Sequence, residues 1–187
     1  MSPEEEQELI KSANSNPQAF GKLYEAYHNQ IFNYIIRRVM DFDLAHDIAS
    51  ETFLKAYINF WKFRWHRVSI SNWFYKIATN EINSYYRKGK SGQSLLEELK
   101  KQIILNPITT PDMQLEKEIA EEELKRHQDF IDVQARLKLL PIKYQEVISL
   151  KYFERKKIKE ISEILGKKEG TIKSLISRGL EKIRNLL

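Results

Sequence analysis

The sequence predicts an all-α fold of two small helical domains, a four-helix N-terminal domain and a C-terminal helix-turn-helix domain, joined by a flexible linker. Apolar residues recur at three- and four-residue intervals through most of the 187 residues, a spacing typical of amphipathic helices. Strand formers and turn residues are scarce, with four Val, five Thr and six Gly. The periodicity stops between residues 89 and 130, where two prolines lie close together, so we place the domains at 1–88 and 131–187.

Four helices are predicted in the first domain. Ser2 and Glu5 form a capping-box pattern that opens a short helix, and three longer helices follow at about 17–39, 44–60 and 71–87. The third of the four is amphipathic. We expect its inward face to hold Ile48, Thr52, Phe53, Ala56 and Phe60, and its outward face to hold Asp47, Ser50, Glu51, Leu54 and Lys55.

The second domain is predicted to fold as four helical stretches at about 133–139, 142–153, 156–165 and 169–187. Gly166 permits a tight turn between the last two, and the residues that pack inward after it are Ile172, Ile176, Gly179 and Ile183. This is helix-turn-helix spacing. The opposite face of the last helix shows polar and basic residues that could enter a major groove, namely Lys173, Ser174, Ser177, Arg178, Glu181 and Lys182.

Charge is distributed unevenly along the chain. Residues 1–92 hold 12 basic and 10 acidic residues, residues 93–130 hold 5 and 9, and residues 131–187 hold 14 and 7. Two positive ends around an acidic middle suggest two modules that meet a polyanion, for which nucleic acid is the natural candidate.

A basic and aromatic stretch lies inside the first domain. Between Phe60 and Lys90 there are seven basic residues against one acidic residue, and nine of the 21 aromatic residues of the chain. Cations that follow phosphates and rings that stack on bases are what single-stranded nucleic acid requires. The alternative, that several of these rings fill a helical core, stays open at this point.

Composition argues against enzyme chemistry. The chain has no Cys and only four scattered His, so it offers no thiol nucleophile and no thiolate metal cluster, and no cofactor is expected. Asp41, Asp43, His46 and Asp47 could be drawn as a metal site, but helix capping and partner docking account for the same residues. The longest uncharged stretch, Ala26 to Ile36, is too short to span a bilayer, and the acidic start is unlike a signal peptide, which predicts a cytoplasmic protein without membrane insertion.

Three motifs together resemble the extracytoplasmic-function (ECF) group of bacterial RNA polymerase sigma factors. They are LAHDIASETFLKAY from Leu44, SNWFYKIATNEINSYYRKGK from Ser71, and the stretch from Leu140 to Arg184 with its Leu165-Gly166, Gly170-Thr171 and Lys173-Ser174 pairs. The resemblance covers nearly the whole chain except the linker. It implies a specificity factor that binds core RNA polymerase, becomes nucleoid-associated in the holoenzyme, opens the minus-ten element and reads the minus-35 element.

The resemblance also implies a role for each motif. The first would dock on the clamp helices of the largest polymerase subunit, through Asp47, Ser50, Glu51, Leu54 and Lys55. The second, with the preceding loop, would bind and melt the minus-ten element, through Trp61, Phe63, Arg64, Trp65, Arg67, Ser71, Trp73, Lys76, Asn80, Arg87 and Lys88. The third would bind minus-35 duplex DNA, through Glu169, Thr171, Lys173, Ser174, Ser177, Arg178 and Lys182. The polymerase flap and an anti-sigma factor are further implied partners, the second left open.

Some positions depart from the family pattern. Relatives often carry Arg where this chain has Leu175 and Leu180, and Ala where it has Gly179, so base preference does not transfer. Leu175 either packs inward or touches a thymine methyl group. Lys168, near the start of the last helix, offers no side-chain acceptor for the free backbone amides.

Two rival functions remain open from the sequence. A response-regulator-type transcription factor would use a similar helix-turn-helix, although its receiver domain needs alternating strands and helices that the first 130 residues do not show. An RNA-binding protein would use the basic and aromatic stretch but leaves the second domain unexplained. The acidic linker is either a tether or, as in relatives, a mimic of nucleic acid in a basic polymerase channel.

Overall fold

The computed structural model describes residues 3–13, 16–63, 69–88, 133 and 135–185. Within these ranges the chain is helical, without a strand, as the sequence predicts. The predicted linker at 89–130 lies outside the described residues. No described helix is long and apolar enough to cross a membrane.

The first domain contains the four predicted helices. They are α1 (Pro3–Ser12), α2 (Pro17–Val39), α3 (Phe42–Ile58), followed by a 3-10 turn (Phe60–Lys62), and α4 (Ile70–Lys88). The start of α2 is capped by Asn16, whose Oδ1 accepts a hydrogen bond from the Gln18 amide at 3.0 Å. Asp41 caps α3 in the same way, accepting from the Leu44 amide at 2.9 Å. The predicted capping role of Asp41 is therefore confirmed.

The core of this domain lies where α2, α3 and α4 meet. Leu23, Ile31 and Ile35 of α2 are fully buried, as are Phe74 and Ile82 of α4. The predicted inward residues of α3, from Ile48 to Phe60, are also buried, and its predicted outward residues are exposed except for Lys55, which is half-exposed. Burial of this apolar stripe fixes which side of α3 faces solvent.

The second domain differs in detail from its prediction. After a helical segment at 135–139 come α5 (Ile142–Ile148), α6 (Ile158–Leu165) and α7 (Glu169–Arg184). The sequence predicts one helix over 142–153, but its second half is a π-helical turn (Ser149–Phe153). The chain leaves that turn at Arg155, whose φ of 52° is left-handed. Helical geometry therefore cannot continue into α6, which begins two residues later than expected.

The helix-turn-helix is confirmed. Gly166 ends α6 in the left-handed conformation with a φ of 64°, which glycine adopts without steric cost. Ile172, Ile176 and Gly179 of α7 are buried, as predicted, and Ile183 is half-buried against the same core. Gly179 is needed for close packing: a Cβ atom there would lie 2.7 Å from Cδ1 of Ile148. Gly179 is therefore matched to Ile148 on α5.

The two domains pack against each other, which the sequence does not predict. Helix α4 lies along α6, and the π-helical turn reaches α2. Polar and charged side chains make many of these contacts, among them Glu154 with Arg37 and Lys156 with Ser71. Hydrophobic periodicity does not detect an interface of this kind, because its residues read as solvent-exposed in the sequence.

We predict that Gly179→Ala destabilises the second domain and that Ile148→Val relieves the effect. The added Cβ overpacks the α5–α7 contact at a cost of about 1–3 kcal/mol, and the better helix propensity of alanine offsets about 1 kcal/mol of it. Ile148→Val alone should cost about 0.5–1.5 kcal/mol. Removing Cδ1 makes room for the new methyl group. The double variant should therefore lose much less unfolding free energy, measured in urea, than the sum of the two single losses. Additive losses would contradict this close-packing account.

Candidate nucleic-acid interface

An open groove with a volume of about 230 Å³, called the cavity below, lies between the end of α3 and the middle of α4. Its lining combines two cations, two amides, one carboxylate and two apolar side chains: Lys55, Asn59, Lys62, Trp73, Ile77, Asn80 and Glu81. The sequence singled out Trp73 and Asn80 as minus-ten residues and Lys55 as a polymerase residue, but it did not single out Asn59, Ile77 or Glu81. Asn59 lies one helical turn beyond Lys55, and Ile77 one turn beyond Trp73, a signal that helix faces alone could have supplied, whereas Glu81 directly follows Asn80.

Hydrogen bonds hold the polar groups of this cavity in place. Lys55 lies 2.6 Å from Glu81 and 3.0 Å from Glu51, and the hydrogen bonds to these carboxylates raise the pKa of Lys55. Asn59 donates to the Lys55 carbonyl oxygen at 2.9 Å and accepts from Lys62 at 2.7 Å. The Lys55 charge is thus compensated locally, whereas Lys62 donates to a neutral amide, so Lys62 supplies positive potential at the rim.

Aromatic rings make the apolar wall of the cavity. Trp73 packs against Phe60, Phe63 and Phe74 at ring-centroid distances of 5.7, 5.2 and 5.7 Å, which fixes its orientation. Trp61 is 61% exposed, with the Lys62 ammonium 5.0 Å from its ring centroid. A rigid ring beside the cavity and an exposed ring at its edge are suited to stacking on a flat ligand.

The remaining predicted minus-ten residues differ in their exposure and contacts. Lys76, Asn80 and Arg87 are exposed on α4. Phe63 is a correction: its ring is buried against Phe60 and Trp73, so it is part of the core and does not offer a stacking face. Ser71 accepts a hydrogen bond from Lys156 of the second domain at 3.0 Å. Arg64, Trp65 and Arg67 lie outside the described residues, and Lys88 ends α4.

The predicted polymerase-docking face of α3 is accessible. Asp47, Ser50 and Glu51 are exposed, and Leu54 is 52% exposed. The face then continues as an apolar strip that the sequence did not single out, with Tyr57 and Ile58 exposed before Trp61. The sequence contained a signal for this strip, because Ile58 lies one helical turn beyond Leu54 on the outward side of α3. Exposed apolar side chains in a row mark a protein-contact surface.

Two of the four residues drawn as an alternative metal site make other contacts. Asp41 caps α3, and His46 packs its ring 4.8 Å from Phe32 and 4.7 Å from Phe42. In the described part of the chain no three His, Cys, Asp or Glu side chains form a group that could hold a metal ion. The helix-capping explanation is the one that the geometry favours.

Helix α7 presents the face predicted for DNA. The predicted minus-35 residues on it, Glu169, Thr171, Lys173, Ser177, Arg178 and Lys182, are exposed, and Ser174 is half-exposed. Lys168 stands at the N-cap position without a side-chain hydrogen bond to the first turn, as expected. Leu175 is half-buried against the core, which favours inward packing, whereas Leu180 is 38% exposed.

Two family models match the chain. Residues 23–92 match the model described as Sigma-70 region 2, and residues 130–183 match the one described as Sigma-70, region 4. The first match begins inside α2 and runs through α3, the cavity and α4, and the second runs from before α5 to the last turn of α7. The order of the two regions along the chain agrees with the order of the two candidate surfaces.

Curated relatives and solved structures agree with these matches. The chain is 32% identical to the ECF RNA polymerase sigma factor SigW of Bacillus subtilis (strain 168), with 95% of this chain and 94% of that protein aligned. It is 26% identical to SigM of the same organism, with 88% and 93% aligned.

Two solved structures share the fold. CnrH, solved in complex with the cytosolic domain of CnrY, has a TM-score of 0.68 at 17% identity, covering 97% of this chain and 96% of that one. The sigma factor RpoE, solved in complex with the anti-sigma factor NepR from Bartonella quintana, has a TM-score of 0.61 at 20% identity, covering 89% and 95%. With the helix-turn-helix, the region 2 and region 4 matches and the full-length likeness to SigW, the chain belongs to the ECF RNA polymerase sigma factors, alternative sigma factors that direct RNA polymerase to promoters and are not themselves enzymes.

Proposed function

We propose that this sigma factor works through three separate surfaces. The outward face of α3 binds the clamp helices of the largest polymerase subunit, the cavity between α3 and α4 accepts an unstacked base of the minus-ten element, and α7 binds the minus-35 duplex. The observation that carries the proposal is the cavity, because a helix-turn-helix regulator needs only the third surface. A receiver domain would also place strands in the first domain, and its described residues are helical.

The cavity supplies what strand opening requires. Taking a base out of the stack costs a few kcal/mol, and stacking on a protein ring returns about 1–3 kcal/mol per base. Trp73 offers a fixed wall, and Asn59 and Asn80 offer amide groups for the edge of the base. Lys62 at the rim and Lys76 farther along α4 would hold the phosphates of the displaced strand.

The start of α7 is suited to duplex DNA. Thr171 and Ser174 are short side chains near the helix N-terminus, and Arg178 lies one turn beyond Ser174, so hydroxyl and guanidinium groups point to the same side. Lys173 would contact a phosphate. The first-turn amides, which Lys168 does not cap, are free to bind a second phosphate at the positive end of the helix dipole.

The α3 face combines acidic and apolar groups. Asp47 and Glu51 would meet basic side chains of the clamp helices, and Leu54 would bury its exposed side chain at the centre. We extend the surface to Tyr57 and Ile58, which continue it toward the cavity. An anti-sigma factor that covers this strip is a further proposed partner. The second domain would contact the polymerase flap. The holoenzyme would be located at the nucleoid.

The direct test is promoter-dependent transcription. Purified chain added to core RNA polymerase should produce transcripts from genomic promoters that the core cannot use alone. Mapping the transcript starts would also give the minus-ten and minus-35 sequences. Failure on every genomic template, with the core active with another sigma factor, would contradict the proposal.

We predict that Arg178→Ala and Asn80→Ala separate the two DNA functions. Arg178→Ala should weaken binding of the holoenzyme to minus-35 duplex by about 1–3 kcal/mol, a factor of roughly 5–150. Asn80→Ala should leave that binding unchanged and reduce opening, measured by permanganate reactivity of minus-ten thymines. Each variant is the control for the other, since both residues are exposed. Equal loss of both activities in either variant would show a structural effect.

We predict that Asp47→Lys lowers affinity for core polymerase by roughly tenfold or more, because it places a like charge against the basic clamp helices. Glu25→Lys is the matched control: it makes the same change of charge at an exposed position on α2, outside the α3 face. Fluorescence anisotropy of labelled chain titrated with core measures both. Unchanged affinity for Asp47→Lys, or an equal loss of affinity in the control, would show that core polymerase docks on another face.

A further inference from the structure

A single acid lies in the most basic stretch of the chain. Between Phe60 and Lys90 there are seven basic residues and one acidic residue, Glu81. The structure places this acid in the lining of the cavity, with its side chain 15% exposed. A carboxylate repels the phosphates of nucleic acid, so an acid is unexpected in a site that accepts a base.

Lys55 compensates the charge of this acid. Its ammonium, on α3, lies 2.6 Å from Oε2 of Glu81 on α4, so the pair carries no net charge. The hydrogen bond to Glu81, and then the one to Glu51, raise the pKa of Lys55. The ammonium therefore stays protonated near neutral pH and holds the Glu81 carboxylate in one position.

The carboxylate lies on the same side of α4 as the apolar wall of the cavity. Trp73, Ile77 and Glu81 follow one another at four-residue intervals, so their side chains share one face of the helix. Long side chains on a helix lean toward its N-terminus, which directs Glu81 back over Ile77 toward Trp73. A base that rests against the indole ring would have its polar edge close to the carboxylate.

The ion pair with Lys55 does not by itself account for the acid. Ion pairs of this exposure add little to stability, and Lys55 already has a carboxylate partner on its own helix, Glu51, at 3.0 Å. An ionised carboxyl group accepts hydrogen bonds on both oxygens. The Lys55 ammonium bonds to Oε2, so Oε1 is left as an acceptor for a ligand.

An ionised carboxylate distinguishes thymine from the other three bases. It accepts hydrogen bonds and cannot donate them. Adenine, cytosine and guanine each carry an exocyclic amino group that can donate to it, whereas thymine has no amino group and presents carbonyl oxygens. Those oxygens would be repelled by the carboxylate.

We infer that Glu81 is a specificity-determining residue of the minus-ten site: its carboxylate, held by Lys55, accepts a hydrogen bond from the amino group of the unstacked base and excludes thymine from the cavity. This inference rests on the proposed function, because the cavity must hold a minus-ten base. It adds the chemical class of that base, which is adenine, cytosine or guanine.

The test compares bases bound by the holoenzyme. Fork-junction DNA from a mapped promoter, with each of the four bases in turn at each minus-ten position, is titrated with holoenzyme and followed by fluorescence anisotropy. We expect one position at which thymine binds roughly 5–150-fold more weakly than the preferred base, equivalent to about 1–3 kcal/mol. Glu81→Gln should bring that ratio close to one, because an amide can donate to the carbonyl oxygens of thymine.

A second measurement identifies the contact itself. At that position the preferred base is replaced by the analogue that lacks only the amino group: purine for adenine, 2-pyrimidinone for cytosine, or hypoxanthine for guanine. The replacement should weaken binding of the unsubstituted chain by at least about fivefold. It should have almost no effect on Glu81→Ala, which has no acceptor to lose, because two changes to one contact are not additive.

Glu51→Gln is the matched control. It makes the same chemical change in the other carboxylate bonded to Lys55, on the docking face of α3 and outside the lining of the cavity. Whatever it does to core affinity, it should leave the ratio between bases at the value of the unsubstituted chain. Circular dichroism and urea unfolding check the folding of each variant, and the analogue measurement on the unsubstituted chain needs no variant.

The outcomes separate this inference from the proposed function. A holoenzyme that transcribes normally but binds thymine as well as the other bases at every minus-ten position would overturn the role of Glu81 alone. Thymine exclusion that persists in Glu81→Gln, or additive losses in the analogue measurement, would overturn it in the same way. A chain that supports no transcription, with the core active with another sigma factor, would contradict both.

Discussion

A chain of hydrogen bonds between α2 and α4 supports the rest of the structure. Arg38 donates to the Tyr34 hydroxyl at 2.9 Å, Tyr34 pairs with Thr79 at 2.8 Å, and Thr79 donates to the Tyr75 carbonyl oxygen at 2.7 Å. All four residues are almost fully buried. Because the buried Tyr34 and Thr79 hydroxyls would be costly to leave without partners, their bonds fix the register of the two helices. It thereby places Tyr75 where the second domain meets the first.

Tyr75 connects the interior of one domain to its contact with the other. Its ring packs edge to face against Tyr34 at 5.1 Å, and its hydroxyl donates to Glu154. Burial, and then the hydrogen bond to Glu154, raise the pKa of Tyr75, so the hydroxyl keeps its proton near neutral pH and remains a donor. A rigid donor on α4 makes the position of the second domain specific even though the ionic contacts contribute little net stability.

The three functional surfaces follow from the same arrangement of helices. Packing of α3 on α2 and α4 turns Asp47 and Leu54 outward, and the junction of α3 with α4 leaves the cavity beside Trp73. Packing of α7 on α5 through Gly179 turns Lys173 and Arg178 outward. The α3 and α7 surfaces are the solvent sides of helices whose other sides are core, and the cavity lies between two helices that share a core, so apolar packing holds all three surfaces in place.

Helical periodicity and local capping act within a few residues, so they were enough to predict the four helices of the first domain, the capping residue Asp41, the turn at Gly166 and the outward faces of α3 and α7. The packing of the helices was needed to show that Phe63 is core, that Arg38 is buried beside the half-exposed Arg37, and that Glu154 and Lys156 join the domains. The Glu154 and Lys156 contacts join polar side chains that are far apart in the chain, and the burial of Phe63 and Arg38 depends on packing against α4. Periodicity assigns such residues to solvent, and their partners become known only when the helices are packed.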